Sequence, residues 1–182
     1  MSPPVCSKII GAKYFNIEGD YAKDDDISPT DVQGHGSHTA STIAGNLVKS
    51  ASLLGFASGT ARGGVPSARL AIYKACWIKI RCPEVDVLAA FDEAIADGVD
   101  IISISAGPTT LEDIFQYFQT SYNIGSFHAM KRGILTSNSA MNMGPGFSTM
   151  AIYPPWILSV AASTIGRKLI TKVQLGNGMV FE

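Results

Sequence analysis

Apolar residues in this chain fall into short clusters whose period switches between that of a strand and that of a helix. Lys8-Ile9-Ile10-Gly11-Ala12-Lys13-Tyr14-Phe15 reads as a short strand, followed by an exposed loop around Asp24-Asp25-Asp26 and Ser28-Pro29. From His35 to Val48 the side chains are small, with Ile43 and Leu47 four apart, which predicts a tightly packed helix that Gly45 weakens. Ala57 to Pro66 reads as a glycine-rich connection. Arg69 to Ala75 reads as a strand. Val85 to Asp97 reads as a helix that buries Leu88, Phe91 and Ile95 and stops at Gly98. Val99 to Ser105 is a second strand of this alternating series, Ile124 to Arg132 a helix stopped by Gly133, Ile134 to Ser139 a third strand and Ile157 to Ala162 a fourth. The tail differs: Ile170 to Leu175 and Met179 to Phe181, joined by Gly176-Asn177-Gly178, predict a β-hairpin.

Strands that alternate with helices imply right-handed crossovers and a parallel sheet, so the fold class is α/β. In such sheets ligands sit beyond the carboxyl ends of the strands. The segments just after Ser105 and Ser139 are therefore the places where chemistry is expected.

Composition narrows this picture. Of 182 residues, 46% are hydrophobic and 16% charged, well below the roughly 25% charge of an ordinary soluble domain. Mean hydropathy is +0.19. The apolar content is enough to offset the entropy of ordering, which excludes a disordered chain. A net charge of −1 argues against nucleic acid or anionic lipid as the main partner. No apolar run approaches the ~18 residues of a membrane span, and Met1 to Cys6 has no apolar core of a signal peptide. Cysteine occurs three times, at Cys6, Cys76 and Cys82, an odd number that leaves one thiol unpaired in an oxidising compartment.

Three segments carry candidate chemistry. In Asp31-Val32-Gln33-Gly34-His35-Gly36-Ser37-His38-Thr39-Ala40-Ser41-Thr42, two histidines lie three apart. One reading is a hydrogen-bonded core histidine. A zinc site is opposed by the absence of the glutamate of a His-Glu-x-x-His motif, and no metal or cofactor is expected. The third reading is a general base at a helix N-terminus, since an imidazole titrating near neutrality suits that task. In Ser139-Ala140-Met141-Asn142-Met143-Gly144-Pro145, Asn142 is either a turn residue or an amide donor to a developing oxyanion. In Ser103-Ile104-Ser105-Ala106-Gly107-Pro108, the strand end is either an ordinary turn or an edge for an extended peptide. Each segment alone reads most simply as local structure. A nucleotide-binding reading of Gly59 to Gly64 fails, because the run is neither Gly-x-Gly-x-x-Gly nor a Walker A sequence.

Taken together and in this order, the segments resemble the plant subtilisin-like serine proteases, the cucumisin-like group of peptidase family S8. The resemblance runs from Lys8-Ile9-Ile10-Gly11-Ala12 to Leu175-Gly176-Asn177-Gly178. It is most specific in Gly34 to Thr42 and in Gly59-Thr60-Ala61-Arg62-Gly63-Gly64-Val65-Pro66. Ala94-Ile95-Ala96-Asp97-Gly98-Val99-Asp100 and Gly125-Ser126-Phe127-His128-Ala129-Met130 support it. It implies a three-layer subtilisin-like fold with a mainly parallel sheet, incomplete at both ends, with residues 1–182 forming part of one catalytic domain. It also implies peptide or protein substrates, no nucleic-acid or membrane partner, and an extracellular setting. His35 matches the catalytic histidine and His38 a second, structural one. Asn142 matches the oxyanion asparagine. Ser105, Ala106 and Gly107 match the strand that pairs with substrate backbone. Ser139 and Ala140 match one wall of the pocket for the residue before the cut. Cys76 and Cys82 resemble a disulfide pair, and Cys6 matches a cysteine whose partner lies upstream.

The sequence also departs from that family. A triad of this type runs Asp, His, Ser. No Asp-Thr-Gly or Asp-Ser-Gly precedes the histidine, and no Gly-Thr-Ser-Met-Ala-like segment follows it. Asp20, Asp24, Asp25 and Asp26 match no triad member, and Asp31 matches a different aspartate of the family. Ser37, Ser41 and Ser105 do not stand in for the nucleophile. Met141 occupies the place of a glycine, where a side chain is expected to crowd the pocket or tilt the Asn142 amide. The expected activity is that of a serine endopeptidase whose triad is completed elsewhere; the alternative is a truncated homologue with no peptidase activity of its own.

Overall fold

In the computed structural model, which describes residues 8–19, 22–78, 81–107 and 118–182, strands and helices alternate as the pattern predicts. The elements are β1 (Ile9–Tyr14), α1 (His35–Ala44), β2 (Val48–Leu53), β3 (Phe56–Ala61), β4 (Leu70–Lys74), α2 (Glu84–Asp97), β5 (Ile101–Ile104), α3 (Ser121–Lys131), β6 (Leu135–Ser139), β7 (Ile157–Val160), β8 (Val173–Gln174) and β9 (Val180–Phe181). Cys6, with its expected upstream pairing, lies outside the described residues, as do Asp20 and Pro108. Parallel pairing dominates, as expected, but in two ladders rather than one: β1 with β4, and β5-β6-β7 in that order. The tail hairpin forms with shorter strands than expected, β8 against β9 across Gly176 to Gly178.

The core lies where α2 and α3 pack together. Ala75, Val87, Phe91 and Tyr122 form its centre, and Ile102, Ile104 and Ala106 rest against it. The buried face of α2 runs through Val87, Phe91 and Ala94, a spacing of four and three. Leu88 and Ile95, expected on that face, are only half-buried because the face is centred one position earlier. Asp86 is buried too, and its carboxylate accepts from Ile17 N at 2.8 Å and Trp77 Nε1 at 3.3 Å, which compensates its burial. α3 starts a turn before the expected Ile124, because Thr120 serves as its N-cap and its side chain accepts from Asn123 N.

Two expectations between residues 35 and 66 are corrected. The first helix ends at Ala44, not Val48. Residues 63–65 run against its last turn and satisfy its open carbonyls: Gly63 N donates to Gly45 O (2.9 Å), Gly64 N to Thr42 O (2.9 Å) and Val65 N to Ile43 O (2.8 Å). The approach needs a glycine at position 63, and the end of the helix itself needs one at position 45. A Cβ on Gly63 would lie 2.3 Å from Gly45 N, and one on Gly45 would lie 2.6 Å from Ser41 O. The supposed glycine-rich connection begins as a strand: β2 and β3 form an antiparallel hairpin through Leu54-Gly55. Both turn residues have positive φ, 50° and 88°, as a tight two-residue hairpin requires. Small residues hide this strand from pattern reading, since Ala57, Ser58, Gly59 and Thr60 show no apolar alternation.

Because the neighbour of Gly63 is backbone, which cannot rotate away, Gly63→Ala should release the end of α1. Amide hydrogen exchange at Gly64 and Val65 is expected to accelerate by at least tenfold, in line with the roughly 1–3 kcal/mol of overpacking. Unchanged protection at both amides would contradict the crossing.

Candidate active site

His35 is the first residue of α1 and is exposed. The residues before it do not form a regular cap: Gly34, the N-cap, has φ 91° and offers no side chain. Asp31 does that work from three residues further back. One carboxylate oxygen accepts from Gln33 N (3.0 Å) and Gly34 N (2.8 Å), the other from Ser37 N (2.6 Å). Ser37 N–H is one of the helix's open first-turn donors, and a negative charge there suits the helix dipole. Burial pushes the Asp31 carboxyl up, but the N–H groups of Ser37, Gly34 and Gln33 outweigh it and hold it down at about 2. His38 lies one turn on, also exposed, and its carbonyl accepts from the Ser41 and Thr42 hydroxyls. Among the described residues, neither imidazole is hydrogen-bonded to the other candidate residues.

The remaining candidates converge at one place. β5 and β6 run parallel with Ile104 opposite Asn138, so their carboxyl ends arrive side by side. The buried Asn138 donates from Nδ2 to Ala106 O at 3.2 Å and holds the 105–107 segment against the end of β6. Ser105 is exposed, Ala106 and Gly107 half-buried. Among the described residues β5 is an edge strand, so the 105–107 segment continues an edge. On the other side, Ala140 N donates to Val160 O (2.9 Å) and extends the β6–β7 ladder, while Ala151 N donates to Ala140 O (3.4 Å). These bonds close the base of the loop 141–150, and Asn142 stands exposed at its start. Ser139 is half-buried and Ala140 buried. Met141 has φ 70°, the left-handed conformation that favours glycine.

Cys76 and Cys82 form the disulfide, with Cα atoms 4.1 Å apart. Among the described residues no group of three or more metal-ligating side chains occurs, and no helix is long and apolar enough to cross a membrane. Pattern reading gave no role to Asn138 or Asp31. Asn138 had a signal: in Leu135-Thr136-Ser137-Asn138-Ser139 the buried alternate positions, 136 and 138, are polar, which in a core strand marks a hydrogen-bonding task.

The chain is similar to known proteins in both sequence and fold. The Peptidase_S8 profile, described as Subtilase family, matches residues 9–167. "Subtilisin-like protease SBT4.14" of Arabidopsis thaliana is 54% identical over 175 residues, covering 96% of this chain and 23% of the relative. "Subtilisin-like serine-protease S" of Lotus japonicus is 48% identical over 185 residues, covering 96% and 24%. The chain thus spans about a quarter of the length of these curated relatives. Among solved structures, "Sphericase" superposes with a TM-score of 0.56 at 25% identity, and "S41 Psychrophilic Protease" with 0.56 at 24%; each match covers 85% of this chain and 46% of the other. The architecture, α/β with parallel ladders, is a partial subtilisin fold.

The Asp31 clamp has a defined pH dependence. Its carboxyl lies lower in the folded chain (about 2) than its ordinary 3.8, so its stabilisation is complete above that ordinary value and is lost as pH falls through about 2. The carboxyl carbon of Asp31 should titrate near 2 by NMR, with the Gly34 and Ser37 amide shifts following it. Asp31→Ala should remove that transition and cost about 1 kcal/mol, as loss of a helix cap does. A midpoint near 4 would refute the clamp.

Proposed function

The chain belongs to the subtilase family, and from that membership we propose that it supplies the base and the oxyanion donor of a plant subtilisin-like serine endopeptidase acting on peptide or protein substrates. In this reading residues 1–182 are part of one catalytic domain. His35 takes the proton from a serine hydroxyl provided outside these residues and returns it to the leaving amine. Asn142 donates its amide to the oxygen that becomes negative in the tetrahedral intermediate. Ser105, Ala106 and Gly107 pair with the substrate backbone as an added strand. Ser139 and Ala140 wall the pocket for the residue before the cut. His38 is structural.

The observation that carries this reading is the meeting of the 105–107 and 139–142 segments at the carboxyl ends of two paired parallel strands, one of them an edge. It joins a peptide-binding edge to an amide donor where this class of sheet binds ligands. The Cys76–Cys82 bond supports an extracellular setting, since disulfides persist in oxidising compartments. The second reading, a non-catalytic homologue, is favoured by the methionine just before Asn142, where the resemblance places a glycine.

Translation of the flanking genomic DNA separates the two. In-frame Asp-Thr-Gly upstream and Gly-Thr-Ser downstream are expected for the enzyme, whereas stop codons before either would leave the non-catalytic homologue. The 182-residue chain itself should hydrolyse no peptide and take no label from a fluorophosphonate probe; stoichiometric labelling of any of its serines would refute this assignment. In a product carrying all three segments, His35→Ala should lower kcat by about 10⁶ and Asn142→Leu by about 10²–10³, the sizes seen for the corresponding losses in subtilisin.

A further inference from the structure

Met141 has a consequence that the family assignment does not contain. Its half-buried side chain turns back toward the strand ends instead of out to solvent. The Ser139 hydroxyl donates to Met141 Sδ at 3.5 Å, a weak bond that orients the thioether. On the other side the sulfur lies over the bare face of Gly107: a Cβ placed there would be 3.1 Å from Met141 Sδ and 3.0 Å from Ile152 Cδ1. These distances are shorter than the 3.5–4.0 Å of a relaxed nonbonded contact. One side chain thus touches both segments that frame the proposed pocket, Gly107 from the β5 end and Ser139 from the β6 end.

We propose that the Met141 side chain fills the slot for the residue before the cut, so that this chain accepts only peptides whose side chain there is small. The inference rests on the peptide-binding reading given above and adds a specificity determinant to it. A methyl group extends no further than Cβ and does not compete for the volume the thioether takes, whereas a phenyl ring does. Removing the thioether reopens the slot by about three heavy atoms beyond Cβ. Pocket discrimination of 10–200-fold per methylene-sized change sets the expected scale.

The test uses the ¹⁵N-labelled chain and the amide shifts of Ser105, Ala106 and Gly107. Two short peptides are titrated, alike except that one ends in Ala and the other in Phe at the residue before the cut. Wild type, Met141→Ala, Met141→Gly and Met141→Leu are compared; the leucine variant conserves volume and keeps the slot filled. The Ala-ended peptide is expected to bind all four alike. The Phe-ended peptide should bind Met141→Ala and Met141→Gly at least about tenfold more tightly than wild type and Met141→Leu. Equal binding of the Phe-ended peptide by all four would overturn the proposal. A gain in Met141→Gly alone would overturn it as well, assigning the effect to the φ 70° backbone instead of the side chain. If neither peptide shifts these amides in any of the four, the peptide-binding reading itself falls, an outcome distinct from the other two.

Discussion

The parallel register of β5 on β6 is the constraint from which the candidate site follows. Pairing Ile104 with Asn138 fixes which residues leave the two strands together, and so brings residues 105–107 beside residues 139–142 across more than thirty intervening positions. A slip of one residue would send Asn138 to the opposite face of the sheet, because side chains alternate along a strand. Its bond to Ala106 O would be lost, and Thr136 and Asn138 would trade burial with Ser137 and Ser139. The register is held by the core. Ile102, Ile104 and Ala106 rest on the Ala75, Val87, Phe91 and Tyr122 cluster, so apolar packing on one side of β5 and a buried amide at its end specify the same alignment.

The histidine is positioned by separate means. α1 is fixed at its far end by the close passage of residues 63–65 and at its near end by Asp31. Both devices satisfy backbone groups that a helix leaves open, one set by backbone donors and the other by a carboxylate. The helix thus needs little apolar burial, which fits its composition: Ala44 is its one buried residue. His35 can remain exposed at a helix end whose backbone is tied down.

Much of the fold was legible in the sequence because the core segments carry strong periodicity. Val85 to Asp97, Ile134 to Ser139 and Ile157 to Ala162 form the predicted kinds of element with ends displaced by a few residues at most. Legibility failed where small residues dominate. The β2–β3 hairpin is exposed along nearly its whole length, so no burial imprints alternation on it, and its Leu54-Gly55 turn does not carry the usual Asn-Gly or Asp-Gly signal. The end of α1 was misplaced for a related reason: Leu47 and Val48 continue a helical spacing, yet the helix stops where another backbone takes its carbonyls.

By itself, the sequence determined the α/β class, the order of the elements outside the β2–β3 hairpin, the family and the identity of the candidate groups, His35, Asn142 and the Cys76–Cys82 pair. Each of these is written in local pattern or in a contiguous motif. What only the tertiary structure decided is who stands beside whom: Asn138 holding Ala106, Asp31 closing on Ser37, and Met141 lying between Ser139 and Gly107. The sequence marked Met141 as out of place before Asn142, but its side chain has several rotatable bonds. Only its place between the Ser139 hydroxyl and Gly107 fixes the direction in which it turns.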